Sequence, residues 1–455
     1  MNRLHGLGIP RLLAISFASA ILLGGLLLML PACRTPGTPA IGWIDAFFTA
    51  TSAVCVTGLV TLDTGSQFSF MGQIVILILI QLGGLGLITV STLFIVTRSG
   101  RLSLSQRDLL AQTHGSLPHV NPRALMRQII VYTFGLEAIG AALLTMRFAQ
   151  DQELGAAVWS GVFHSVSAFC NAGFGLHPDS LMRYQDDFLV TYTVMALVVG
   201  GGIGFVVVAD VWSTIMGRIR GIKDRLSLHS RVVLWFTGWL VFAGMVFFMV
   251  AEWGNVDSGE SLWQRIMRMM FLSVATRTAG FNTVDTGLLR NATILVVMLL
   301  MAIGGSPGST AGGIKTTTLG VLIALVRSRI RNRPNVELFN RSIPDEVVGK
   351  ALATTAGFIL TTMIAIVLLE WTESHYHGTL EMRGLFLEHL FEVVSALGTV
   401  GLSMGVTPTL SPVGKWIIIA CMFLGRVGPL IVGASIIGRQ ETLEYKLPEE
   451  SVSIG

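Results

Sequence analysis

Runs of about twenty apolar residues return along the whole of this chain, at about residues 11–30, 70–97, 125–148, 187–216, 229–251, 291–328, 348–369 and 413–437. A bilayer core about 30 Å thick calls for helical runs of roughly that length. This feature restricts the fold more than any other. Lipid offers the backbone no hydrogen-bond partner, so a chain that crosses it must satisfy its own N–H and C=O groups, as a helix or a closed barrel does. Runs this long imply helices. The 455 residues are 52% hydrophobic and only 13% charged, which leaves no room for a large soluble domain; soluble chains are about a quarter charged. The fold class expected is therefore an all-α polytopic membrane protein. The net charge of +4 reflects loop placement and not a basic surface for nucleic acid.

The runs have a pattern. A long apolar segment is followed by a shorter one ending in glycine, then by another long one, four times over. The shorter segments are "FFTATSAVCVTGL", "GVFHSVSAFCNAGF", "MMFLSVATRTAGF" and "HLFEVVSALGTVGL". They align on Gly58, Gly173, Gly280 and Gly401. Five residues earlier stand Ala53, Ala168, Ala275 and Ala396; one residue later, Leu59, Phe174, Phe281 and Leu402; ten earlier, Phe48, Phe163, Met270 and Phe391. "TLDTG" (Thr61–Gly65) and "TVDTG" (Thr283–Gly287) repeat at one offset. Repetition of this kind sets architecture. The four units are 1–98, 99–217, 218–333 and 334–455. Segments this short cannot cross a bilayer as helices throughout. Each reads as a half-helix that enters and an extended strand that returns, tolerated at membrane depth only around protein or a water-filled cavity. The expected arrangement is pseudo-fourfold around one pore, with about eight spanning helices and four re-entrant pore helices. Carbonyl oxygens of the four strands can then replace a cation's hydration shell, with the negative ends of the half-helices aimed at the same centre.

One long run contradicts its own hydrophobicity. Between Ile294–Ile303 and Leu319–Val326 lies "GGSPGSTAGGIKTTT", Gly304–Thr318. A kinked helix is the plain alternative to a functional break there, and "GSTAGGIK" approaches a phosphate-binding loop. The latter fails, because Ile314 separates Gly313 from Lys315 and no strand precedes.

Charge gives orientation. The loops joining units, 98–128, 217–231 and 327–350, carry sixteen Lys and Arg, among them "RSRIRNR" (Arg327–Arg333). The opposite loops carry Arg34, Arg147, Arg183, Arg290 and Lys415. The positive-inside rule puts the first set and both termini in the cytoplasm. Asp63, Asp179, Asp186, Asp187, Asp257, Glu260 and Asp285 line the outer side, where they can enrich cations or simply be solvated. Cys33, Cys55, Cys170 and Cys421 lack metal-site spacing and suggest no disulfide framework. "LPAC" (Leu30–Cys33) resembles a lipoprotein signal faintly, but residues 11–30 read better as an uncleaved first span.

Of the other ionisable residues within spans, Glu137, His164 and Glu392 are expected to brace pore helices; His164 and Glu392 share one position, nine before the glycine. Arg277 breaks the fourfold likeness, facing Cys55, Cys170 and Gly398 in the alignment, and is expected to turn away into an ion pair. Arg426, midway along the last span, is costly there and is expected to face a cavity or a partner. A sodium-coupled secondary transporter of another small solute is the rival function, although such proteins carry inverted or twofold repeats. A membrane enzyme would need more than His164, Ser165 and Ser167.

Four helix–pore-loop–helix units, one glycine per loop, and "GGSPGSTAGG" in the third inner helix resemble the Trk/Ktr/HKT potassium transporter superfamily over essentially the whole chain. Within it the chain looks most like the Ktr B membrane subunits. The resemblance implies a potassium-translocating subunit of a sodium-dependent uptake system in the bacterial inner membrane, and not an enzyme. It implies a filter at Val56, Thr57, Gly58, Asn171, Ala172, Gly173, Thr278, Ala279, Gly280, Thr399, Val400 and Gly401, with potassium as substrate at those positions and sodium as activator or co-ion, and no covalent cofactor. None of these strands reads TVGYG, which leaves room for a less rigid filter. It also implies an intramembrane gate at Gly304, Gly305, Ser306, Pro307, Gly308, Ser309, Thr310, Ala311, Gly312, Gly313 and Lys315, with Arg426 beside it. Cavity water is expected to satisfy the loop's polar groups. The partners implied are a second copy of the chain, a cytosolic nucleotide-binding KtrA-like ring docked on the basic inner loops, and membrane lipid.

Overall fold

The structure, a computed structural model, describes residues 9–86, 122–221, 225–254, 261–376 and 379–428. It is mostly helical. The helices are α1 Ile9–Leu28, α2 Trp43–Cys55, α3 Phe70–Leu85, α4 Pro122–Phe148, α5 Leu154–Phe169, α6 Phe188–Ile203, α7 Phe205–Ile219, α8 Leu228–Ala251, α9 Leu262–Ala275, α10 Asn291–Ala302, α11 Thr316–Ile330, α12 Asp345–Glu373, α13 Thr379–Gly398 and α14 Pro412–Val427. A two-stranded hairpin, β1 Glu337–Leu338 with β2 Arg341–Ser342, follows α11.

Local chemistry explains where the helices begin. Ser69, Asp187 and Ser411 each accept a backbone N–H three residues on, at 3.3, 3.0 and 3.0 Å, which satisfies one of the amides that a helix start leaves free. Ser261 and Gln264 form a reciprocal capping box at α9.

Among the described residues, four helices contain stretches long and apolar enough to cross a membrane: Arg11–Leu28, Arg127–Phe148, Leu228–Ala251 and Asp345–Glu373. They expose Leu22, Leu23, Phe134, Phe242, Leu360 and Val367 outward, as a lipid-facing surface would. Each packs on the short helix after it, α1 on α2, α4 on α5, α8 on α9 and α12 on α13. The third member of each group then reaches the short helix of the next: α3 meets α5, α6 meets α9, α10 meets α13, and α14 closes the circle on α2. The aligned alanines and the residues after the glycines are buried. So are Phe48, Phe163 and Phe391, while Met270 is half-buried.

The third members differ from the single long spans expected. α3, α6 and α14 are each 16 residues long, too short to span alone, and each is followed by a glycine with positive φ: Gly86 at 79°, Gly204 at 97° and Gly428 at 95°. At Gly204 the chain bends by 95° from α6 into α7. A helix needs φ near −63°, and a β-carbon at this glycine would lie 2.7 Å from the Pro307 carbonyl oxygen. Residues 87–97 and 429–437 of the expected spans lie outside the described residues, as do the termini and most of loop 98–128.

Buried carboxylates join outer helices to inner ones. Glu252, ending α8, accepts from the Arg290 N–H at 3.1 Å and from the Thr293 hydroxyl. Glu373, ending α12, accepts from the Ser411 N–H at 3.2 Å and its hydroxyl at 2.6 Å. Each stands at a helix N-terminus, where the dipole favours negative charge. Glu373→Ala strands the Ser411 donors and is expected to cost about 1–3 kcal/mol. A clear fall in the melting temperature of the detergent-solubilised protein checks this; an unchanged one contradicts it.

Candidate ion-conduction site

The four short helices α2, α5, α9 and α13 end beside one another, and each chain then turns in the same way. Val56, Asn171, Thr278 and Thr399, two residues before the aligned glycines, have φ of 56°, 58°, 64° and 50°. The glycines follow at 97°, 70°, 72° and 91°. A left-handed residue at the helix end turns the next amide back onto the helix. Thr57 N–H donates to the Ser52 carbonyl (2.8 Å), Ala172 to Ser167 (2.8 Å), Ala279 to Ala275 (3.1 Å) and Val400 to Ser395 (2.9 Å). Among the described residues no donor takes up the carbonyls of Thr57, Ala172, Ala279 or Val400, which remain open to another partner.

The strands form a closed ring. A β-carbon placed on Gly58 would lie 2.6 Å from the Ala172 oxygen, one on Gly173 3.1 Å from the Ala279 oxygen, and one on Gly280 2.6 Å from the Val400 oxygen. One on Gly401 would collide with the Thr57 oxygen, which returns to the start. The glycine α-carbons are as close as this implies: the added atoms on Gly280 and Gly401 would sit 2.9 Å from the Gly173 and Gly58 α-carbons. Four carbonyl oxygens, each from the residue preceding a glycine, therefore converge with no room for a side chain. Such a ring can take the place of a cation's water. The Thr57 and Thr399 hydroxyls are also buried and unpartnered among the described residues.

Two serines missed in the sequence steady the ring. Ser52 and Ser395 accept from the Gly58 and Gly401 N–H groups at 3.0 and 3.1 Å. Six residues before the glycines stand Ser52, Ser167, Val274 and Ser395, so the alignment held the signal. Behind the second strand, His164 lies close to the Ser160 carbonyl (2.8 Å) through Nδ1 and accepts from the Leu176 N–H (3.3 Å) through Nε2. Behind the fourth, Glu392 accepts from the Ser403 hydroxyl. Glu137 accepts from Gln81 Nε2 at 3.0 Å. His164 and Glu392 thus tie short helices to the segments that follow them, whereas the Glu137 side chain meets the inner helix α3.

The break between α10 and α11 folds back under this ring. Ile303 and Ile314 pair as a parallel bridge, and Gly304 N–H donates to the Ile314 carbonyl at 2.9 Å. Ser306 and Thr310 donate through their amides to Gly202 and Gly201 (3.1 and 3.3 Å), and the Phe205 N–H donates to the Gly308 carbonyl (3.1 Å). The bend at Gly204 thus wraps the loop's apex. Asn171 Nδ2 donates to the Thr310 hydroxyl at 3.0 Å, and a β-carbon on Gly312 would strike the Thr399 hydroxyl. The loop therefore touches two of the left-handed residues directly. Protein groups meet several of its polar atoms: the Ser309 hydroxyl donates to the Ser306 carbonyl (2.7 Å), and the Ser306 and Thr316 hydroxyls meet at 3.0 Å.

Three cationic side chains surround the loop. Arg426 donates to the Thr310 carbonyl and, unforeseen in the sequence, to the Gly83 carbonyl on α3. The Lys315 ammonium donates to the Ala311 carbonyl at 2.6 Å. Arg277 corrects its expectation: among the described residues no carboxylate pairs with it. It donates instead to the Gly304 carbonyl at 3.1 Å and leaves its second terminal nitrogen unpartnered. Its side chain packs beside Gly305, Thr237, Val198 and Val274, a lining that holds no acidic residue.

A ring of main-chain oxygens inside apolar helices, with a polar loop beneath, is a construction that ion-conducting membrane proteins use. Residues 27–446 match the family of TrkH cation transport proteins, and the chain belongs to that family. It is a family of membrane ion transporters and not of enzymes. The chain is 37% identical to the potassium/sodium uptake protein NtpJ of Enterococcus hirae, over 98% of this chain and 97% of that one. It is likewise 37% identical to the Ktr system potassium uptake protein B of Bacillus subtilis, over 98% and 96%. The solved structure of the potassium transporter TrkH from Vibrio parahaemolyticus shares the fold, with a TM-score of 0.69 at 17% identity over 92% of this chain and 82% of that one.

Proposed function

We propose that this chain is the potassium-translocating membrane subunit of a sodium-dependent uptake system. The single observation that carries the reading is the closed ring of Gly58, Gly173, Gly280 and Gly401 against the Thr57, Ala172, Ala279 and Val400 oxygens. The ring acts as the selectivity filter of one pore per chain, with four repeats in pseudo-fourfold order around it. The segment Gly304–Gly313, held by Lys315 and Arg426, is the intramembrane gate. Relatives named as potassium uptake proteins over nearly their whole length support the substrate. The name of the Ktr system supports a multi-subunit assembly, read here as a homodimer on a KtrA-like cytosolic ring in the bacterial inner membrane, with both termini cytoplasmic. Flux of potassium or rubidium into proteoliposomes, with and without sodium, tests the function. Uptake that requires another solute and ignores potassium would overturn it.

The gate reading has its own test. Deleting several residues within Gly305–Gly313 removes the bonds to Gly201, Gly202 and Arg426 and is expected to raise flux at least about tenfold, the effect of losing roughly 1.4 kcal/mol of closed-state preference. A well-folded deletion variant that conducts less would mean the loop only shapes the helix.

A further inference from the structure

The end of α11 carries a feature that conduction does not use. The helix runs out through Arg327 and Arg329 and stops before Arg331, and the chain turns back through the β1–β2 hairpin. Between helix end and hairpin lies a polar pocket of about 100 Å³, lined by Arg327, Arg331, Arg333, Glu337 and Phe339 among others. On the same helix lies an apolar groove of about 380 Å³, made by Leu322, Ile323, Val326 and Ile330, and Arg327 and Arg331 border it as well. Two arginines therefore stand where a polar pocket joins an apolar groove.

The charges there are unbalanced. Arg333 is neutralised by Glu337 at 2.7 Å. Arg327 and Arg331 have no ion-pair partner among the described residues. Four residues apart, they line the same two compartments with like charge, which disfavours the pair unless an anion joins it. The pocket wall adds no further acid: its Phe339 ring lies 5.9 Å from the guanidinium carbon of Arg231, a further cation. Guanidinium forks match phosphate oxygens, and basic pockets beside membrane helices suit anionic headgroups.

We propose that this junction binds one anionic phospholipid, with the headgroup phosphate between Arg327 and Arg331 and an acyl chain along the groove from Leu322 to Ile330. The two compartments select a lipid over a soluble phosphate, which would leave the groove bare, and over an acidic peptide, which has no chain to lay in it. The site stands apart from the ring and the loop, and it does not depend on which cation is carried.

Native mass spectrometry of the full-length protein, mixed with phosphatidylglycerol and phosphatidylcholine, tests it. One phosphatidylglycerol per chain is expected to be retained in preference to phosphatidylcholine. R327Q and R331Q are each expected to weaken retention about fivefold, the effect of one basic residue at an anionic surface; R327K and R331K should weaken it less. R329Q borders neither compartment and should leave it unchanged, and matched melting temperatures show that all variants fold. An equal loss in R329Q would mean a general surface field and overturn the site. So would equal retention of phosphatidylcholine, or displacement of the lipid by free glycerol phosphate. Loss of dimer or partner association in R327Q and R331Q, with lipid retention intact, would make the face a protein interface and also overturn it.

Discussion

Serine at Gly58, Gly173, Gly280 or Gly401 is expected to remove most of the preference for potassium over sodium. Two costs act together at each position. The backbone stands at φ between 70° and 97°, where a residue with a β-carbon pays about 1–2 kcal/mol. The β-carbon itself would enter the ring: at Gly58 and Gly280 it would come within 2.6 Å of the neighbouring carbonyl oxygen. That oxygen must move, and with it the carbonyl ring proposed to replace hydration water. A distortion worth about 1.4 kcal/mol between the two ions already changes selectivity about tenfold. Gly401 should suffer most, since its β-carbon would overlap the Thr57 oxygen. Uptake of potassium and sodium by each variant, at equal amounts of folded protein, measures the effect. Unchanged selectivity in all four variants would remove the filter from this ring.

Arg426→Gln is expected to raise basal cation flux. The guanidinium spans from the loop, at the Thr310 carbonyl, to the first inner helix, at the Gly83 carbonyl. On the proposed gate reading it thereby holds the loop across the path below the ring and keeps a positive charge there. Glutamine can keep one of the two bonds. Losing a charge-assisted bond costs about 1.5–3 kcal/mol, which shifts a closed-to-open balance by roughly ten- to a hundredfold. Both contacts are carbonyls, and no carboxylate joins them among the described residues, so a structural salt bridge is not what the substitution would break. Arg426→Lys separates the two effects, because it keeps the charge and loses the fork. If flux falls and the melting temperature falls with it, Arg426 is a brace and not a barrier.

The sequence carried a good deal of this. Apolar run length implied helices in a membrane, because lipid leaves the backbone no other partner. The fourfold alignment on Gly58, Gly173, Gly280 and Gly401, with alanine five residues earlier, marked the four chain turns. "GGSPGSTAGG" marked the break, since no lipid-exposed helix tolerates it. Arg426 stood out because a charge in mid-span needs a partner. These are local facts of solvation and backbone freedom, and a sequence states them directly.

Other features depend on what comes close in space. That Gly401 abuts Thr57, and so closes the ring, joins residues from opposite ends of the chain. That Arg277 donates to Gly304, not to an acid, depends on which neighbour fills the pocket behind the third strand. The 95° bend at Gly204 was invisible in an apolar run, because hydrophobicity reports burial in lipid and not the direction of the chain. The bend's shape is set by the loop apex packed against it, at Pro307 and Gly308. Helix content and the turn positions thus follow from single-residue chemistry, whereas the ring, the loop's anchors and the partners of the three cations follow from packing between units, where a β-carbon or a carbonyl from one repeat decides what the next can hold.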